Sequence, residues 1–162
     1  MTPPSDQPAI HVAGGRLAVE GVDAEELAAR FGTPLYVMSG GALRSNVRAW
    51  QRALAAAWRH GDTRVLVSLK ANPSIALRRI LNQESAGCDV FGQAELEIAL
   101  AAGVRPDLIS VNGSTKPAKL IARAIDAGAQ LTVDSIDELE TAAAAARAAG
   151  TVAGSASAYV PT

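Results

Sequence analysis

One cysteine, Cys88, stands in a chain of 162 residues, so no internal disulfide can form, and a lone thiol suits a reducing cytoplasm. Two histidines, His11 and His60, lie far apart in sequence and do not make a zinc set with that cysteine. Aromatic residues make up only 4% of the chain, so alanine does much of the filling within a hydrophobic share of 49%. An excess of charge is also lacking: a formal net charge of −1 offers no basic face to nucleic acid and no general attraction to an anionic membrane. No stretch approaches the roughly 18 apolar residues of a membrane span. Residues 1–8 are polar and proline-rich, without the basic-then-apolar order of a secretory leader. What remains is a soluble, cytoplasmic, metal-free α/β protein of about one domain.

The N-terminal part has its own pattern. His11–Val19 predicts a hairpin turning on Gly14-Gly15. Asp23 can cap a short helix with Glu25 and Glu26 in its positive first turn, Leu27, Ala28 and Phe31 on its apolar face, and Gly32 at its end. Thr33–Met38 predicts a strand, with Pro34 tolerable near its start. Ser39 then caps a long helix whose stripe, Leu43, Val47, Trp50, Leu54 and Trp58, places both tryptophans on one face and in the core.

From Val65 onward the pattern becomes regular. Strands are predicted at Val65–Leu69, Cys88–Val90, Leu108–Val111 and Gln130–Val133. Helices follow near Ser74–Leu81, Gln93–Ala102, Pro117–Ala127 and Ser135–Ala149, the last three ending at Gly103, Gly128 and Gly150. Such βα units predict a parallel sheet with right-handed crossovers. A spacing near twenty residues per unit suits a (β/α)8 barrel better than a Rossmann sheet, and no G-x-G-x-x-G fingerprint follows the first strand. Four units are half a barrel, which leaves two open edges and one uncovered face.

Lys70 ends the first strand of this series, in Val65-Leu66-Val67-Ser68-Leu69-Lys70-Ala71-Asn72. Ligands of parallel α/β structures bind at the C-terminal ends of strands. A partly desolvated lysine there can act as a nucleophile and form a Schiff base, whereas lysines that cap strands are ordinarily just solvated.

Several segments together carry a family resemblance: Phe31-Gly32-Thr33-Pro34-Leu35-Tyr36-Val37, Leu69-Lys70-Ala71-Asn72, and Gly87-Cys88-Asp89-Val90 followed by Glu95-Leu96. Further on, Val111-Asn112-Gly113-Ser114-Thr115-Lys116 and Val133-Asp134-Ser135-Ile136-Asp137-Glu138-Leu139 continue the set. In this order, from about Gly14 to Thr151, they resemble the diaminopimelate/ornithine decarboxylase family, pyridoxal-phosphate enzymes built on an alanine-racemase-like (β/α)8 TIM barrel. The N-terminal prelude resembles the diaminopimelate branch, which converts meso-diaminopimelate to L-lysine and carbon dioxide.

The resemblance implies that Lys70 holds pyridoxal phosphate covalently, and that Asp89, at the next strand end, lies close to it and favours its charged form. Physics alone reads Asp89 equally as a strand-end or helix-capping residue, and Glu95 as a first-turn glutamate. Asn72 and Lys116 match motif positions without an assigned role, and Cys88 reads as a small, inert, buried residue. Full-length family members are homodimers acting on small amino acids. Ser68-Leu69-Lys70 and Phe91-Gly92-Gln93-Ala94-Glu95 depart from the serine- and glycine-rich versions common in diaminopimelate decarboxylases, where Gly-Gly-Glu is usual. That points to a paralogue acting on another amino acid, such as a carrier-linked or secondary-metabolite substrate. Racemase activity on the same fold, a non-catalytic pyridoxal-phosphate carrier, and an interaction fragment are the competing functions. A carrier would lack the hairpin prelude.

The resemblance divides the chain into a prelude (1–32), a partial cofactor-binding barrel (33–151) and an aberrant tail (152–162). It implies that the ring-stacking histidine, the phosphate loop and a C-terminal β domain lie beyond this chain, leaving an inactive fragment. Where a fifth strand is due, the family carries an arginine-rich strand such as Arg-Val-Arg-Leu-Arg-Leu-Arg-Pro-Asp. Suitable GC-rich codons for that strand, read one base later, translate as Gly-Ser-Ala-Ser-Ala-Tyr-Val-Pro-Thr, which is residues 154–162. A frameshift is therefore expected there, against the alternative of a flexible small-residue tail.

Overall fold

Gly14 and Gly15, with φ of 57° and 78°, turn β1 (Ile10–Ala13) back onto β2 (Arg16–Val19) as an antiparallel pair, the hairpin expected from the sequence. A second tight turn, at Glu20 (φ 50°) and Gly21 (φ 83°), adds a two-residue strand, β3 (Val22–Asp23), too short to leave a periodic signal. The computed structural model describes residues 8–151 and 156–158. Asp23 caps α1 (Ala24–Phe31) as expected, accepting from the N–H groups of Glu25 and Glu26, and Gly32 (φ 82°) ends it. No residue of α1 is buried, and Phe31 is exposed.

Two expectations fail in the next segment. Thr33–Met38 forms no strand: nothing pairs with it among the described residues, and Tyr36 is 98% exposed. Its composition favours an extended chain, but a strand exists only where a neighbour completes its ladder. The tryptophans are not in the core. Ser39 caps α2 (Gly40–Ala57) as predicted, yet Trp50 is 65% exposed and Trp58, just past the helix end, is 53% exposed. Arg44, Arg48 and Gln51 all reach Glu84, which rotates the buried seam of α2 toward Val47 and Gln51. Trp50 is left at the margin. Glu20 links the prelude to this helix by accepting from the Ser39 hydroxyl and the Gly41 N–H.

Strands β4 (Leu66–Ser68), β5 (Gly87–Val90), β6 (Ile109–Val111), β7 (Gln130–Val133) and β8 (Ala156–Ala158) pair in parallel, each with the next. Between them run α3 (Ile75–Gln83), α4 (Gln93–Ala101), α5 (Ala118–Ala127) and α6 (Ile136–Ala148). Every predicted strand and helix of this series is present within a residue or two at each end. Spatial order follows sequence order without reversal, as in a barrel and unlike a doubly wound sheet. Among the described residues the sheet does not close: β4 and β8 each have one neighbour. Apart from the backbone of Ala156–Ala158, the tail expected to be frameshifted lies outside the described residues.

Side chains alternate across this sheet. Cys88, Val90, Ile109, Val111, Leu131 and Val133 face the helices and pack on Leu96, Ala99, Leu120, Ile121, Ala124 and Ala142. Arg78, almost wholly buried, fastens α3 to the start of β5 by donating to the carbonyls of Ala86 (2.6 Å) and Gly87 (2.9 Å). A Cβ on Gly87 would lie 2.2 Å from Leu66 Cδ2 and 2.6 Å from the Leu108 carbonyl oxygen. The leucine can rotate away, but the carbonyl is held by the sheet. Gly87→Ala is therefore expected to destabilise the fold by about 1–3 kcal/mol. A urea melt coincident with that of the wild type would contradict this packing.

Candidate functional site

The face of the sheet opposite the helices carries a polar row. Ser68, Asp89 and Ser110 are register neighbours on β4, β5 and β6, so their side chains share that face near the C-terminal strand ends. Asn112, one residue past β6, donates from Nδ2 to the carboxylate of Asp89 and to Ser110 Oγ (3.2 Å). Its own N–H is held by the Val90 carbonyl (2.8 Å). Ser68 Oγ is closed to solvent and has no hydrogen-bond partner among the described residues. An unpaired buried hydroxyl is rare and marks either a functional site or a place where a bound group completes the set.

Lys70 follows two residues later. The chain leaves β4 through a single 3-10 turn, Leu69–Ala71, in which Leu69 is buried in the core and Lys70 points outward. Asn72 closes that turn through its N–H to Leu69 O, and its side chain accepts from the N–H of Ser74 at the start of α3. The motif position without an assigned role is thus a joint between strand and helix. Lys70 makes no ion pair among the described residues. Its Nζ sits 4.3 Å from the centroid of Phe91, over the ring face. The carboxylate of Asp89 is engaged by Asn112, so the group that holds Lys70 here is the aromatic ring.

Glu95 acts locally: Oε2 accepts from the Phe91 N–H at 2.7 Å, fixing the turn from β5 into α4. Lys116 lies deeper. Its side chain is wholly buried, with Nζ 2.8 Å from Glu138 Oε2 and donating also to Gly113 O. Glu138 accepts in addition from the N–H groups of Lys116 (3.1 Å) and Asp134 (3.0 Å). Burial pushes its carboxyl up, but the Lys116 side-chain bond, the two N–H bonds and the Lys116 charge outweigh that effect and hold it below the usual carboxylate range. The pair ties the loop after β6 to the start of α6. Cys88 points into the helix-side core, and burial pushes its thiol up despite the neighbouring Arg78, which fits an inert residue.

Sequence reasoning missed Phe91, Asn112 and Glu138 as site residues. A signal existed for Glu138, because Ser135-Ile136-Asp137-Glu138 has capping-box spacing and Ser135 Oγ does accept from the Glu138 N–H. For Asn112, its place directly after a strand was a weaker cue. Nothing local predicts that Phe91 meets Lys70.

The sequence profile of a family described as "Pyridoxal-dependent decarboxylase, pyridoxal binding domain" matches residues 41–153. The diaminopimelate decarboxylase of Archaeoglobus fulgidus is 38% identical over 136 residues, covering 84% of this chain and 31% of the relative. That of Zymomonas mobilis is 35% identical over 137 residues, covering 84% and 32%. Among solved structures, diaminopimelate decarboxylase from M. jannaschii in complex with L-lysine superposes with a TM-score of 0.81 at 33% identity. That match covers 90% of this chain and 34% of the other. Lysine/ornithine decarboxylase from Vibrio vulnificus, complexed with putrescine, gives 0.64 at 28% identity, covering 72% and 31%. The chain spans about a third of the length of these relatives.

Proposed function

The chain belongs to the family of pyridoxal-dependent decarboxylases, and we propose that it supplies the cofactor-bearing lysine, Lys70, of an enzyme that removes carbon dioxide from meso-diaminopimelate. Pyridoxal phosphate is the family's cofactor, and the residues here fit it. A primary amine with no ion-pair partner among the described residues stands at the C-terminal end of a parallel strand. It lies beside a row of polar side chains in which the buried Ser68 hydroxyl has no hydrogen-bond partner among those residues. That juxtaposition of Lys70 with Ser68 and Asp89 is the observation that carries the proposal. When bound, the cofactor supplies an electron sink for the pair left at the α-carbon as carbon dioxide departs.

This chain's own contribution is positional. Lys70 provides the attachment point, and the Phe91 ring face lies 4.3 Å from its Nζ. Asp89, held by Asn112, would offer a carboxylate to the bound cofactor. The buried Lys116–Glu138 pair keeps two loops at the strand ends from moving. Residues 33–151 form the cofactor-binding part and residues 1–32 a prelude. With the polar face uncovered among the described residues, this chain alone is expected to hold the cofactor loosely and turn over no substrate. A homodimer and a cytoplasmic location belong to the same proposal. The location is supported by the single, buried cysteine, and no helix of the described residues is long and apolar enough to cross a membrane.

A chimera tests the substrate. This chain replaces the matched third of the Archaeoglobus fulgidus enzyme, and carbon dioxide release is measured from meso-diaminopimelate, L-lysine and L-ornithine. Release from meso-diaminopimelate alone is expected. A folded chimera that decarboxylates L-lysine or L-ornithine instead would assign the chain to another branch.

A further inference from the structure

Phe91 is a large apolar residue that is still 38% exposed, at the strand end beside Lys70. Two contacts fix it: its N–H is held by Glu95 at 2.7 Å, and its ring face lies 4.3 Å from Lys70 Nζ. Gly113 has φ 113°, and a Cβ there would approach Phe91 Cδ1 to 3.5 Å, so that loop passes against the ring. With Nζ 4.3 Å from the ring centre, a group joined to Lys70 in this conformation would begin beside the ring.

We infer that Phe91 is a cofactor-contacting and positioning residue: an aromatic wall that holds the free Lys70 ammonium before capture and then packs against the group attached to it. The inference rests on the proposed role of Lys70. The physical chemistry has two parts. A ring face attracts an ammonium group, and a flat aromatic surface offers a conjugated ligand both apolar area and ring-to-ring contact. Leucine retains the first of those apolar functions but has no ring, whereas tyrosine retains the ring. Bulk at this position also narrows the space beside the attachment point.

Three proteins are compared as full chains: wild type, Phe91→Leu and Phe91→Tyr. The first readout needs no cofactor. Acetic anhydride labels Lys70 relative to the exposed Lys119, and Phe91→Leu is expected to raise that ratio about two- to fivefold as the ring no longer covers one side of the Lys70 amine. In the second, pyridoxal phosphate is titrated with borohydride trapping, and the concentration for half-maximal labelling of Lys70 is expected to rise about three- to tenfold in Phe91→Leu. Phe91→Tyr should match wild type in both, and all three should melt within a few degrees of one another. A Phe91→Leu protein that melts and labels like wild type in both assays overturns the inference. So does a Phe91→Tyr protein that behaves like Phe91→Leu. If wild type itself shows no preferred labelling of Lys70 by the cofactor, the proposed role of Lys70 fails first and the inference falls with it.

Discussion

Replacing Lys70 by alanine is expected to abolish covalent capture of pyridoxal phosphate at that position while leaving the fold intact. Lys70 is exposed and makes no ion pair among the described residues, so truncating it should change stability by no more than about 0.5 kcal/mol. The chemical effect is all or nothing, because only an amine at the strand end can make the bond. Lys70→Arg sharpens the point. A guanidinium keeps the positive charge over Phe91 but is not a nucleophile, so it too should leave no trapped cofactor. Absorbance of the bound cofactor and the mass of the borohydride-reduced protein check both variants. Undiminished capture in Lys70→Ala would move the site to another lysine.

The largest effect on stability is expected at Glu138. Its carboxylate receives Lys116 Nζ and two backbone N–H groups, and Lys116 has no exposed side-chain surface. Glu138→Gln leaves a buried ammonium without its counter-charge, at a cost of about 3 kcal/mol. For a chain of this size that corresponds to a fall in melting temperature of roughly 6–12 °C. The pH dependence has a definite sign. Burial raises the Glu138 carboxyl, but the bonds and charge from Lys116 and the N–H of Asp134 hold it below its unfolded value. The stability it contributes is thus fully present above about pH 4.5 and is lost as pH falls through the lower folded value. Wild type should lose stability in acid over that window, and Glu138→Gln should show a shallower acid limb. Lys116→Met with Glu138→Leu should recover part of the loss, since apolar pairs often replace buried ion pairs without penalty.

The βα series was legible from the sequence because its signals are local. Gln130–Val133 has the apolar alternation of a strand and a glycine on its helix side, and Ser135 and Gly128 carry capping chemistry that depends on nothing distant. Gly14-Gly15 specified its hairpin in the same way. The failures all depend on partners far along the chain. Thr33–Met38 has strand composition but no neighbour here, and Trp50 fits an ideal helical stripe that the Glu84 contacts of Arg44, Arg48 and Gln51 rotate aside. Lys70 could be placed at a strand end because Val65–Leu69 carries a local strand signal. Its contact with Phe91, and the pairing of Lys116 with Glu138 across two loops, join residues about twenty positions apart. No local pattern encodes such a meeting.

Three lysines make the decisive measurement simple. The purified chain is incubated with pyridoxal phosphate, reduced with borohydride, digested, and mapped by mass spectrometry for the fraction of label on Lys70, Lys116 and Lys119. The account predicts label concentrated on Lys70, with Lys116 protected by burial against Glu138 and Lys119 marking the background of an exposed surface amine. Label on Lys119 equal to that on Lys70 would contradict it, because Lys70 would then be one more solvated lysine at the end of a strand.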